Sequence, residues 1–156
     1  MSYAEDTSVS VEKSRAEIEK LITRAGADQF ASMISNEKAM IGFSLHGKHV
    51  KFVLPLPSKI ERRFTHWKPG NSQDWRPRPP EKIYPAWEQA CRSRWRALAL
   101  CIKAKLEAVE QGITTFEAEF LAHFVTPGGL TIGERVIPQL EEMSKSGKPP
   151  VLQLYG

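Results

Sequence analysis

Residue types that usually carry catalysis or hold a metal are scarce in this sequence. Cysteine occurs twice, at Cys91 and Cys101, a spacing that fits neither a metal-binding pair nor a disulfide framework. Aspartate occurs three times, in three separate segments, whereas a two-metal nuclease needs several converging carboxylates. These shortages argue against metal-dependent hydrolysis, and both cysteines are expected to be reduced thiols of the core.

Cofactor and nucleophile motifs are missing as well. The sequence has no glycine-rich phosphate loop and no nucleophile elbow. Glu119 and His123 stand four residues apart on a predicted helix, but two ligands are too few for zinc. His46 and His49 flank a predicted turn, where we expect surface side chains. The sequence therefore predicts no catalytic residue, no metal site and no cofactor, and leans away from an enzyme.

Long hydrophobic runs are absent too. The first twenty residues are acidic and polar where a signal peptide has its apolar core, and no run approaches transmembrane length. We therefore expect a soluble, cytoplasmic protein with no membrane partner. At 156 residues the chain can bury one substantial core, so a single domain over 1–156 is expected.

Positive charge is concentrated in the middle of the chain. Residues 58–96 hold ten basic and four acidic residues, whereas residues 1–57 are balanced and residues 97–156 are slightly acidic. All four tryptophans lie in the same basic region. A function that uses positive charge is therefore expected there.

The first third of the chain predicts a helix followed by three antiparallel strands. Apolar residues at helical spacing occupy Ser10 to Ala25, before Gly26. From Gln29 the period changes to that of strands, with a two-residue turn at His46-Gly47 or Gly47-Lys48. In the third strand, alternation separates Lys51 from the apolar positions, which places Lys51, His49 and Lys48 on an open sheet surface.

The second half predicts three helices. An apolar stripe defines a long helix that begins near 83–85 and stops at Gly112, with Glu88 placed to pair with Arg92. Two further helices are predicted from capping-box spacings, Thr114 with Glu117 and Thr131 with Glu134. The stripe consists of Trp87, Cys91, Trp95, Leu98, Ile102, Leu106 and Val109.

The predicted fold class is α+β, with the helices packed on one face of a small sheet. Its parts are a helix plus sheet over 9–57, a basic aromatic loop over 58–82, a helical part over 83–144 and a loose tail over 145–156. The stripe of the long helix and the open sheet edge are each compatible with a homo-oligomer.

The basic aromatic loop predicts binding of nucleic acid, single-stranded DNA in particular. Single strands are held by cations that follow the phosphates and by aromatic rings on which bases stack. The loop has both, and cations of the sheet and the long helix could extend the same surface. The predicted binding residues are Lys48, Lys51, Lys59, Arg62, Arg63, Trp67, Lys68, Trp75, Arg76, Arg78, Lys82, Arg92, Arg96 and Lys103.

Two alternatives stay open at this point. Trp67 and Trp75 either stack on bases or pin the loop to its own domain, while Trp87 and Trp95 belong to the apolar stripe. The same segment could also be a protein-interaction module or inhibitor that docks on an enzyme, because Trp and Arg dominate such contacts. A small metal-dependent enzyme is the third hypothesis.

Two stretches of the chain, AMIGFSLHGKHVKFVLPLP and WEQACRSRWRALALCIKAKLEAVEQGITTFEAEFLAHFV, resemble small proteins encoded by tailed bacteriophages and prophages. The likeness runs from Val11 to Pro138. It brings no activity and no site residues with it. What it implies is a phage origin, a bacterial cytoplasm, and a role in phage DNA metabolism such as replication or recombination, or in interference with the host.

Overall fold

The computed structural model describes residues 4–149 and 152–154 and confirms an α+β fold. None of the helices in these ranges is long and apolar enough to cross a bilayer. The helices and strands are α1 (Val11–Arg24), β1 (Gln29–Ile34), β2 (Lys38–Leu45), β3 (Lys48–Pro55), α2 (Arg62–Thr65), β4 (His66–Trp67), β5 (Arg76–Pro77), α3 (Pro80–Glu110), α4 (Phe116–Phe120), a 3-10 turn (Leu121–His123) and α5 (Ile132–Ser146).

The three-stranded sheet is an antiparallel meander in the order β1-β2-β3, as predicted. His46 and Gly47 form the turn between β2 and β3, with φ of 51° and 73°. Positive φ at both central residues is the geometry that matches the twist of a tight hairpin. The turn fixes the register that places Gly42 opposite Lys51 and Ser44 opposite His49.

The core lies between one face of this sheet and the helices. Alternate residues of β2 and β3 meet Ile18 and Ile22 of α1 and Trp95 and Ile102 of α3, all of them buried. Helix α1 begins where the Ser10 side chain accepts a hydrogen bond from the Lys13 amide at 3.1 Å. The apolar stripe of α3 is thus the main surface on which sheet and α1 pack.

Helix α4 packs on the core face of the sheet through Phe120, which contacts Phe43 and Phe52. Phe116, Phe120 and Phe124 are buried in the core. Helix α5 begins with the predicted capping box between Thr131 and Glu134. The prediction for α4 was wrong by one residue: Thr115 is the N-cap, because its hydroxyl accepts the Ala118 amide at 3.1 Å.

Several local predictions differ from the structure. Helix α3 begins at Pro80, because proline suits a first helical turn. Cys91 is buried, but Cys101 is exposed, since it lies outside the apolar stripe. Arg92 donates to Gln89 rather than pairing with Glu88.

The described part of the C-terminal tail is hydrogen-bonded to α5. Helix α5 extends to Ser146, so the tail begins later than residue 145. The Gln139 side-chain NH₂ group donates to the backbone carbonyl of Gln153 at 2.9 Å. The Gln139 side-chain oxygen accepts from the backbone N–H of Gln153, also at 2.9 Å. Residues 150, 151, 155 and 156 lie outside the described ranges.

Candidate nucleic-acid interface

The basic aromatic loop has local structure that the sequence pattern did not predict. Helix α2 buries Phe64, and the strands β4 and β5 then pair antiparallel with Trp67 opposite Arg76. The Arg78 amide extends this pairing by donating to the Thr65 carbonyl at 2.8 Å. We call residues 66–77 the ribbon. Its backbone pairing fixes where its tryptophans and cations lie.

The base of the loop is closed by contacts to α3. The Trp87 indole donates to the Pro57 carbonyl at 2.7 Å, and Arg94 donates to the Pro55 carbonyl at 3.2 Å. The Lys59 ammonium lies 4.4 Å from the centre of the Trp87 ring and 5.2 Å from that of Tyr84. We call the Trp87–Pro57 contact the clasp. It joins the start of the loop to the helix that follows it.

The two tryptophans of the ribbon have different surroundings. The Trp75 ring has the Arg62 guanidinium 4.7 Å and the Lys68 ammonium 4.9 Å from its centre, and it is half-buried. The Trp67 side chain is 40% exposed. Trp75 is therefore engaged with cations of its own chain, whereas Trp67 leaves aromatic surface available to a ligand.

Five exposed cations of the basic aromatic loop (58–82) have no acidic partner among the described residues. An exposed cation without a partner keeps its charge available to a phosphate, because no nearby carboxylate neutralises it. Arg63, by contrast, pairs with Glu61 at 2.7 Å, and Arg78 is half-buried and donates to the Arg63 carbonyl. The five exposed cations, which we call the basic cluster, are Lys59, Arg62, Lys68, Arg76 and Lys82.

The predicted cations of the long helix lie apart from the ribbon. Arg96 pairs with Glu17 of α1, and Arg92 is bonded to Gln89. Arg96 therefore lies on the flank of α3 that contacts α1, and Gln89, the partner of Arg92, donates to the Thr7 carbonyl at 2.9 Å in the segment before α1. The loop contacts the flank that carries Trp87. Lys103 is exposed and lies more than four helical turns after Trp87, beside Arg24. A continuous surface from the loop along the helix is not formed.

The predicted cations of the sheet are separate as well. The Lys51 ammonium donates to the Gly129 carbonyl at 2.8 Å and lies 3.5 Å from Glu134, so it ties α5 to β3. Lys48 lies 6.0 Å from the centre of the Phe124 ring. Alternation along β3 places Lys48 on the side of Val50, so its predicted place beside Lys51 was wrong.

Polar side chains on the open sheet face form a hydrogen-bonded group. The Ser44 hydroxyl lies 2.7 Å from His49 Nδ1 and also bonds to the Gln29 side chain at 3.3 Å. Ser44 is only 7% exposed, and among the described residues no carboxylate contacts His49. The group therefore lacks the third member that orients a Ser–His pair for nucleophilic attack.

Glu119 and His123, which the sequence places four residues apart on one predicted helix, each contact other residues in the structure. Glu119 accepts from Lys105 at 3.2 Å. The His123 ring stacks on Phe52 at 4.0 Å, and burial, together with the positive charge of Lys105, lowers the pKa of His123. Within the described ranges, no three His, Cys, Asp or Glu side chains come together as metal ligands.

Sequence reasoning missed two residues of this surface. Ile60 is 85% exposed between Lys59 and the Glu61–Arg63 pair, and Arg94 holds the base of the loop. Neither has a periodic signal, because Ile60 lies in a turn and Arg94 is one of several arginines on α3.

No protein-family model matches the chain, and no curated protein or solved structure matches it either.

Proposed function

We propose that this protein binds single-stranded nucleic acid, DNA in particular, across the ribbon and its basic cluster. The observation that carries the proposal is that the segment from Lys59 to Lys82 combines five exposed cations that have no acidic partner among the described residues with Trp67, which is 40% exposed. The cations contact phosphates and release counterions, while one base stacks on Trp67. Binding of this kind needs no catalytic group.

The packing of Trp75 supports the proposal by positioning two of these cations. Arg62 and Lys68 converge on one ring from helix α2 and from the ribbon. Each exposed cation–π contact stabilises by about 0.5–1 kcal/mol, which limits the freedom of both side chains before a ligand arrives. A cation that is already ordered loses less entropy when it binds a phosphate. Trp75 thus acts through its neighbours, and Trp67 acts directly.

The cellular role we propose is in the DNA metabolism of a tailed phage, within the bacterial cytoplasm. The resemblance of two long stretches to phage and prophage proteins supports this setting. A sequence-independent single-strand binder acts there on replication or recombination intermediates, where unpaired DNA is exposed. The mode of contact, phosphates plus stacking, carries no base-specific readout.

Titration of fluorescent single-stranded and duplex oligonucleotides of DNA and RNA tests the proposal. Single-stranded DNA should raise the anisotropy and quench tryptophan emission. Trp67→Ala should weaken binding about 5- to 150-fold, which corresponds to the loss of one stack of about 1–3 kcal/mol. Trp67→Phe is the matched control, because it keeps an aromatic face. Absence of binding at low salt, or equal binding by Trp67→Ala, contradicts the proposal.

A second candidate function is docking on a partner protein through the same segment. The observation that favours it is Ile60, which is 85% exposed beside the basic cluster, together with Tyr84 at 53%. Exposed apolar and aromatic side chains amid arginines are typical of contact hot spots. Ile60→Ser should then abolish capture of the partner from infected cells and leave oligonucleotide binding unchanged, a result that nucleic-acid binding alone does not give.

A further inference from the structure

Strand β1 is a sheet edge without the usual protection against pairing. The run from Gln29 to Asn36 contains no charged residue, proline or glycine, although 26% of the chain is charged. Its pairing with β2 is regular and has no bulge, and Met33 and Ile34 are 54% and 48% exposed. Edges of monomeric proteins are generally blocked by charge, proline, a bulge or a covering segment.

The opposite edge of the same sheet is covered by the chain itself. Val50 of β3 bridges to Phe124, and the Val125 amide donates to the His49 carbonyl at 2.9 Å. Among the described residues, nothing pairs with the outer edge of β1 in this way. The fold therefore protects one edge and leaves the other open.

The hydrogen-bond phase of β1 shows which of its backbone groups are free. The Ser35 amide donates to the Lys38 carbonyl at 2.8 Å at the turn. Bonded and non-bonded pairs alternate in an antiparallel ladder, and Ser35 with Lys38 is a bonded pair. The backbone groups of Met33, two residues away, therefore bond to β2, whereas those of Ser32 and Ile34 do not. The residues that direct their N–H and C=O groups outward are Phe30, Ser32 and Ile34.

This free edge is complementary to itself. When a second copy approaches antiparallel about a two-fold axis at Ser32, Ser32 faces Ser32, and Phe30 faces Ile34 in both directions. Every outward N–H then meets an outward C=O, and the exposed Ile34 side chain packs on half-buried Phe30. On the open face, Ala31 lies opposite Met33. Since the strand is uncharged, the +4 net charge of each copy adds no like-charge contact at this edge.

We propose that the partner of β1 is β1 of a second copy of this chain, so that two three-stranded sheets join into one continuous sheet of six strands. The two-fold axis passes through Ser32, which makes the interface isologous. The proposal depends only on the sheet edge and stands independently of nucleic-acid binding.

Sedimentation of the full chain over a concentration series tests the assembly. Wild type should be a dimer that dissociates on dilution. Ser32→Pro removes an outward N–H that the fold itself leaves unused, and should raise the dimer dissociation constant about tenfold or more. Ser32→Ala keeps that N–H and should remain dimeric. Ile34→Lys is a second disrupting variant that leaves the backbone unchanged, in case proline impairs folding.

Cross-linking tests the register. Residues directly opposite in a bonded antiparallel pair have Cα atoms about 5.5 Å apart, which suits a disulfide. With Cys101→Ser to remove the exposed native thiol, Ser32→Cys should form a covalent dimer on oxidation, whereas Asn36→Cys should not. If the wild-type protein is a monomer at every concentration, the proposal is overturned. The same holds if the monomer pairs through β1 with a strand of another protein instead of with a second copy. A dimer that survives both disrupting variants and cross-links equally at 32 and 36 overturns it as well.

Discussion

At the scale of single residues, the two tryptophans of the ribbon differ in what surrounds them. Trp75 lies between the side chains of Arg62 and Lys68, and Trp67 is open to solvent. Their sequence contexts are alike, each next to a basic residue and close to a proline. The difference arises because α2 brings Arg62 back over the ribbon, a tertiary contact that no local pattern encodes. In the proposed binding mode, Trp75 orders the cations and Trp67 contacts the ligand.

The environment of His123 predicts that the stability of the fold depends on pH. Its pKa is lowered from the ordinary 6.5, first by burial and then by Lys105, while a hydrogen bond with the Lys51 backbone opposes the shift. The unfolded chain therefore binds more protons than the folded chain just below pH 6.5. The free energy of unfolding should fall as the pH decreases through this range, and the contribution is fully present above it.

Urea unfolding between about pH 5 and 8 measures this effect. His123→Gln removes the titrating group and should flatten the dependence on pH. His49→Gln, on the open sheet face, is the matched control that leaves the contribution of His123 in place. An identical pH dependence in wild type and His123→Gln would show that the stacked ring on Phe52 is not the group responsible.

At the scale of elements, the docking of α5 depends on a glycine. A Cβ atom at Gly133 would lie 2.9 Å from the Ala122 carbonyl oxygen, which is a backbone atom that cannot turn away. Gly133→Ala should therefore destabilise the protein by about 1–3 kcal/mol, although alanine favours the helix itself. The midpoint of thermal or urea unfolding measures the loss.

Gly42→Ala is the matched control for this contact. Its Cβ would lie 3.8 Å from the Val50 carbonyl, an ordinary distance. The substitution should be neutral or stabilise by about 0.4–1 kcal/mol, because alanine has less freedom in the unfolded chain. Equal losses at Gly133 and Gly42 would refute the steric explanation.

The elements that sequence patterns predicted well are those with many repeats of one period. Helix α3 has a long apolar stripe, and β2–β3 has alternation plus a turn that needs positive φ, so local and tertiary preferences agree. The ribbon was not predicted, because strands of two residues have no period and Pro77 argues against a strand. For the same reason the sequence predicted which residues belong to the candidate site but not how they are arranged. Their separation into groups on the ribbon, the long helix and the sheet became visible only in the fold.

At the scale of the whole molecule, the distribution of paired and unpaired cations predicts the salt dependence of binding. Five phosphate contacts by the basic cluster give a slope of about −3.5 for the logarithm of affinity against the logarithm of salt concentration, at about 0.7 per contact with a single strand. Arg76→Gln should reduce the magnitude of the slope by about 0.7. Anisotropy titrations at several salt concentrations measure it.

Arg96→Gln is the matched control at this scale. Arg96 carries the same charge, but it pairs with Glu17 on the α1 flank of α3. Its removal should leave the slope unchanged. Equal changes for Arg76 and Arg96 would indicate a diffuse effect of net charge rather than contacts at the ribbon.

The clasp between Trp87 and Pro57 has a consequence for how this protein can evolve. It ties Pro57, just before the basic loop, to Trp87 in the helix that follows the loop, so the intervening chain is anchored on both sides. The entropic cost of closing a loop increases only slowly with the length of the loop. The basic loop can therefore change in length or in its side chains between related sequences. The sheet and the helices would keep their shape while the loop is replaced.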